Sequence, residues 1–261
     1  MDIVIKTDVH SVSRLAANII AQVIREKPNC VLGLATGSTP IGTYRELIRM
    51  HKEEGLDFSQ VSTFNLDEYL GVGLALDKPY KEDQSYARFM VEELFHQLNI
   101  KQENIHLPDG LTIDPDEFCK AYEQAIQDAG GIDLQLLGIG GDGHLAFNEP
   151  GTPFDSRTHV QLLTDQTRKD NYKAFFHPAG MTWEEMPTKA LTMGIGTIME
   201  AKEWLVIATG SSKAEIVRQS LEGEVSTRVT ASVIQIYPRK ATVILDKKAA
   251  ANLQGDSSSN H

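Results

Sequence analysis

Cysteine is nearly absent from this chain: two residues in 261, Cys30 and Cys119, far apart and in no CxxC spacing. A disulfide framework and a structural zinc site are therefore not expected, and the thiols suit a reducing cytoplasm. Positive charge is also scarce, with 25 Lys and Arg against 36 Asp and Glu and a net charge of −11. Nucleic acid and anionic membranes call for a basic face, so neither is an expected partner. No apolar run approaches membrane-span length, and Met1 to Asp8 lack the basic-then-apolar order of a secretion signal. Internal repeats, charge blocks and linker-like stretches are missing too. The expectation is a single domain over residues 1–254 with a flexible, Ser-rich tail at 255–261.

What the chain does contain is an alternation of short apolar runs and amphipathic stretches. Strands are expected at Ile3–Lys6, Cys30–Ala35, Val61–Leu66, Ile105–Leu107, Ile132–Leu137, Thr158–Leu163, Ala190–Met193, Trp204–Thr209 and Thr242–Leu245. Helical spacing marks Ser11–Arg25, Ile41–Lys52, Gln84–Leu98, Asp114–Ala129, a polar segment up to Phe176, Ser212–Leu221 and the residues from Lys247 onward. Such alternation predicts a doubly wound, mostly parallel α/β sheet with helices on both faces, a Rossmann-like three-layer sandwich.

Four short motifs follow strands in this pattern. Gly138-Ile-Gly-Gly-Asp-Gly-His-Leu-Ala-Phe-Asn-Glu-Pro150 gathers Asp142, His144 and Glu149 beyond an apolar run, where open α/β sheets build their sites. A carboxylate holds an imidazole in one tautomer, which suits proton transfer. Metal ligation by the three and a purely structural polar turn are the competing readings. The GxGxxG spacing within the motif does not point to a dinucleotide. Pro150 and Pro153 break the helix that such a loop opens, and the region twenty residues after Gly143 reads Gln161-Leu-Leu-Thr164 where such a loop's partner acid is expected.

Thr36-Gly37-Ser38-Thr39-Pro40 joins a strand to a helix, and its N–H groups and hydroxyls suit a phosphate; a well-capped turn is the alternative. Asp67 ends another apolar run, as a base in a partly dry cleft or as a surface turn. Lys213, after Gly210-Ser-Ser, is a cation at a helix start, which is easier to explain if it binds an anion. Arg168 and Lys173 lie on the polar segment that could close over the site.

Taken together, Leu34–Pro40, Phe64-Asn-Leu-Asp-Glu-Tyr69, Gly138–Pro150 and Gly210–Lys213 resemble the glucosamine-6-phosphate deaminase family, in its order and spacing over roughly residues 1–250. The resemblance implies conversion of glucosamine 6-phosphate and water to fructose 6-phosphate and ammonia, with no metal or organic cofactor and a sugar phosphate as the small-molecule partner. It implies that His144, oriented by Asp142 and Glu149, helps open the sugar ring, and that Asp67 moves a proton from C2 to C1. The 6-phosphate would rest on Thr36, Gly37, Ser38, Thr39 and Lys213. Lys173 stands where the family usually has a second phosphate-binding arginine. Hexameric members activated by N-acetylglucosamine 6-phosphate carry basic residues where this chain has His159 and Gln161, so weak or absent activation is expected. Both a monomer and a homo-oligomer remain open. The lactonases of similar fold differ by continuing after the histidine towards Ser-Leu-Phe-Pro and by Asp-Glu-Arg at the second strand end.

Overall fold

The structure is a computed structural model that describes residues 1–72 and 84–254. The tail expected at 255–261 and residues 73–83, where a loop is expected from the sequence, lie outside the described residues. The chain begins β1 (Asp2–Lys6), α1 (Val9–Glu26), β2 (Val31–Leu34), α2 (Ile41–Glu54), β3 (Ser62–Asn65) and β4 (Asp67–Tyr69). It continues with α3 (Tyr86–Glu93), β5 (Ile105–His106), α4 (Pro115–Asp128), β6 (Leu134–Gly138) and β7 (His159–Leu162). The last elements are α5 (Asp165–Asn171), β8 (Lys189–Thr192), α6 (Ile195–Met199), β9 (Glu203–Ala208), α7 (Ala214–Glu222) and β10 (Lys240–Asp246).

Local chemistry accounts for the helix ends. Asp8 caps α1 by accepting the Ser11 N–H at 2.8 Å, and Val12, Ala16, Ile20 and Ile24 bury one face at helical spacing. Asp114 caps α4, Pro115 takes its first turn, and Gly130 and Gly131 end it at positive φ.

Seven strands form a wholly parallel sheet in the order β1-β10-β9-β6-β2-β3-β5. The central strands β2 and β9 are buried nearly throughout, as expected of a parallel sheet covered on both faces. From β2 the chain winds one way through β3 to β5; from β6 it winds the other way through β9 to β10. The switch lies between β2 and β6, and a crevice opens there beyond the carboxyl ends of the strands.

A second sheet, β4-β8-β7, is antiparallel and pairs Asp67 with Thr192 and His159 with Thr192. The segments Thr158–Leu163 and Ala190–Met193 were expected within one sheet, and this corrects that expectation. β7 is only half-buried, which a small antiparallel sheet tolerates and a central parallel strand does not. Only Leu66 separates β3 from β4, and it accepts the Met193 N–H at 2.7 Å, so the sheets are joined at that residue. An apolar cluster containing Tyr69, Phe147, Leu163 and Phe176 packs about the small sheet.

The helix expected from Lys247 onward is a run of turns. Asp246 accepts the Ala249 N–H through its side chain at 2.7 Å, an alternative to helical pairing that short polar side chains offer.

Candidate active site

Four strand ends meet around one cavity of about 600 Å³ at the switch point. Thr36 to Thr39 follow β2, Asp67 follows β3, Gly138 to Gly141 and His144 come from the end of β6 and the loop beyond it, and Lys213 follows β9; all line the cavity.

The β2 loop faces the cavity, with the Thr36 hydroxyl turned to Asp67. Gly37 takes φ +92°, a conformation that glycine adopts without strain, and α2 starts with no side-chain cap. Ser38 and Thr39 line the cavity without capping the helix, so the loop presents free N–H groups and hydroxyls to an anion. Across from it, Lys213 donates from Nζ to the Ile139 carbonyl at 2.7 Å. Burial lowers its pKa against the pull of Asp142 and Asp170, which favours an anionic guest that restores the charge balance.

His144 is held from two sides. Its Nδ1 lies 2.6 Å from Oδ1 of Asp142, and its backbone N–H donates to the same oxygen at 3.2 Å. The ring lies over Gly140, where any Cβ would collide with Nε2, Cδ2 and Cε1. Burial works to raise Asp142, yet the hydrogen bond and charge of His144 bring it below the ordinary carboxylate value. Glu149 stands behind, 3% exposed, with the Thr164 N–H on Oε1 at 2.9 Å and the Thr164 hydroxyl on Oε2 at 3.2 Å. One ligand-type atom from each of Asp142, His144 and Glu149 lies within 4.8 Å of the others, close enough to relay a proton or to surround a small cation.

Asp67 enters from the other sheet. It is buried to 6% exposure, and burial together with the neighbouring Glu68 pushes it up to about 8, against a hydrogen bond from Thr36. A carboxylate so raised, facing a cavity, is a strong base for its type.

Residues 6–244 match the model of a family described as glucosamine-6-phosphate isomerases/6-phosphogluconolactonase. The chain belongs to that family. A glucosamine-6-phosphate deaminase of Thermoanaerobacter pseudethanolicus is 48% identical over 251 residues, covering 96% of this chain and 94% of its own. Glucosamine-6-phosphate deaminase 2 of Giardia intestinalis is 52% identical over 239 residues, covering 92% and 87%. A solved structure of a monomeric glucosamine-6-phosphate deaminase superposes with a TM-score of 0.89 at 42% identity, covering 97% of this chain and all of that one.

Within this member of the isomerase/lactonase family, the structure brings Thr36, Gly37, Ser38, Thr39, Asp67, His144 and Lys213 to one cavity, with Asp142 and Glu149 directly behind His144. Lys173 does not join them. It is exposed on the single π-helical turn Tyr172–Phe176, while its neighbours Ala174 and Phe175 face the cavity. Arg168 is likewise committed elsewhere, with its guanidinium 4.3 Å above the Trp183 ring and bonded to the carbonyls of Trp183 and Met186.

Several lining residues escaped the sequence reading, and three of them shape the site. Tyr86 opens α3 and stacks on Phe147 with centroids 5.8 Å apart; no strand end announces it. Asp170 reaches the cavity from α5, where it looks like one polar residue among several. Ala146 sits at φ +53°, a left-handed conformation that no residue type in the motif signals.

Proposed function

We propose that the chain is a glucosamine-6-phosphate deaminase, converting glucosamine 6-phosphate and water to fructose 6-phosphate and ammonia. One observation carries this reading: a cavity that joins an uncapped helix start and a half-buried lysine to two separate proton-handling groups, Asp67 and the Asp142–His144 pair. A lactone hydrolase needs one such group; ring opening followed by isomerisation needs two.

In this reading the 6-phosphate rests on Thr36 to Thr39 and Lys213. His144, held by Asp142 with Glu149 behind it, passes a proton between the anomeric hydroxyl and the ring oxygen, which opens the pyranose. Asp67 takes the C2 proton while the C2 ammonium passes a proton to O1, which gives an enolamine, and Asp67 then returns its proton to C1. The resulting C2 imine adds water and releases ammonia, so atoms and charge balance without a redox step or an added cofactor.

The reading extends to regulation and setting. The cleft beside the small sheet is lined by Arg157, His159 and Gln161. Arg157 is already engaged by Glu123 and Glu200, and His159 Nε2 lies 3.0 Å from Gln161 Oε1. That supports little or no activation there by an acetylated sugar phosphate. We read the chain as a cytoplasmic enzyme with one catalytic domain over residues 1–254, working as a monomer or homo-oligomer. No described helix is long and apolar enough to cross a membrane.

The test is ammonia release from glucosamine 6-phosphate, run beside hydrolysis of 6-phosphogluconolactone and repeated with N-acetylglucosamine 6-phosphate present. Ammonia with a hyperbolic curve unaffected by the acetylated sugar supports the whole reading. Lactone hydrolysis without ammonia overturns the activity, and sigmoidicity relieved by the acetylated sugar overturns the regulatory part.

A further inference from the structure

Glu68 is fully buried beside Asp67, and the reaction as derived gives it nothing to do. Four donors converge on its carboxylate. The Tyr69 N–H reaches Oε1 at 2.9 Å and the Tyr86 N–H reaches it at 3.0 Å. The Ser85 hydroxyl donates to Oε2 at 2.7 Å and the Ala87 N–H at 2.9 Å. Ser85 and the first two residues of α3 thus hang on one side chain of β4, and one of those residues, Tyr86, lines the cavity. We propose that Glu68 is a positioning residue for the proton transfer at C2: it fixes Tyr86 over the cavity and places a second carboxylate behind Asp67.

The surroundings of Asp67 make that charge felt. Its neighbours are Glu68 and Tyr69 on its own strand, Tyr86 on α3, Tyr122 on α4 and the Thr36 hydroxyl from the β2 loop. No cation among the described residues offsets Glu68 there. Burial raises Glu68 itself and its four donors oppose the rise, which leaves it at about 7 and charged by the time Asp67 gives up its proton. An anion held by four donors cannot turn away, so Asp67 meets like charge whenever it gives up its proton, and it becomes the stronger base for it. Glu68 therefore acts on the reaction through Asp67 and does not touch the sugar.

The inference rests on Asp67 being the base, and the experiment separates the two. Hydrogen exchange at C2 in deuterated water is followed against pH for the intact enzyme, Asp67→Asn, Glu68→Gln and Ser85→Ala. Asp67→Asn should abolish exchange; if it does not, the base is elsewhere and the prior reading fails. With that satisfied, Glu68→Gln should move the acid limb of the exchange rate down by about one pH unit and lower its plateau roughly tenfold, with KM within about twofold. Ser85→Ala removes one donor but keeps the charge, so its limb should stay in place. An unmoved limb in Glu68→Gln, or equal movement in Ser85→Ala, overturns the inference and leaves Glu68 a helix clamp. Should Glu68→Gln fail to fold, carboxyl ¹³C titration of the unaltered enzyme decides. Asp67 should titrate above pH 6 with a second inflection from Glu68, and a single inflection near pH 4 overturns the proposal.

Discussion

Nδ1 of His144 and Oδ1 of Asp142 lie 2.6 Å apart, and the same oxygen also accepts the histidine's own backbone N–H. One carboxylate thus fixes both the ring and the peptide that carries it. Asp142→Asn keeps the shape but replaces an anionic acceptor by an amide, so the ring loses its tautomer and orientation. Ammonia release should fall about 10²-fold or more, the scale of a positioned acid–base group. A loss below fivefold in steady-state assays would disconnect the pair from the rate.

The floor under that ring is Gly140, and no side chain fits there without moving the imidazole. Gly140→Ala should lower kcat roughly 10²-fold by displacing the reacting group about an ångström. KM should change less than about threefold, because the phosphate loop is untouched. Kinetics and a crystal structure of the variant check both halves.

Asp67 links activity to stability in the direction opposite to most carboxylates. In the folded protein Asp67 is pushed up to about 8, whereas the unfolded chain releases the proton near the ordinary value of 3.8. Between those values the unfolded state binds fewer protons, so this group lowers stability as pH rises from about 4 to 8. Asp67→Asn removes that penalty and should be dead but tougher. At pH 8 its melting point should exceed that of the unaltered protein by about 5 °C or more, shrinking toward zero near pH 4. Calorimetry across that pH range measures the difference; a constant offset would contradict the buried, proton-holding Asp67.

The two lysines named from the sequence should part company. Lys213→Met removes a half-buried cation from the cavity and should raise KM for the sugar phosphate about 10–100-fold, the worth of a charge-assisted hydrogen bond. Lys173→Ala should stay within about threefold, since Lys173 points away from the lining. Competitive inhibition by inorganic phosphate gives the same comparison without turnover.

Much of this site could be read from the chain because each main motif sits at the end of an apolar strand. β2, β3, β6 and β9 are continuous buried runs, and a parallel sheet delivers whatever follows them to one edge. What could not be read came from elements outside that logic. Tyr86 and Asp170 arrive on helices, where local spacing says which face is apolar but not what that face looks onto. Lys173 was placed by analogy of position, yet one π-helical turn rotates it to the outside. The second sheet was hidden because β4 has three residues and starts one residue after β3 ends.

That same brevity gives the site a reading frame. Asp67 and Glu68 are successive residues of β4, and successive side chains leave opposite faces of a strand. The base and its clamp are therefore assigned by parity. Deleting Leu66 with β3 held in place would slip β4 by one residue against β8, bringing Glu68 opposite Thr192 in the base's place and Tyr69 to the clamp's. Length changes elsewhere leave this count alone, but the interval from Ser62 to Tyr69 has to hold its number of residues as strictly as its chemistry.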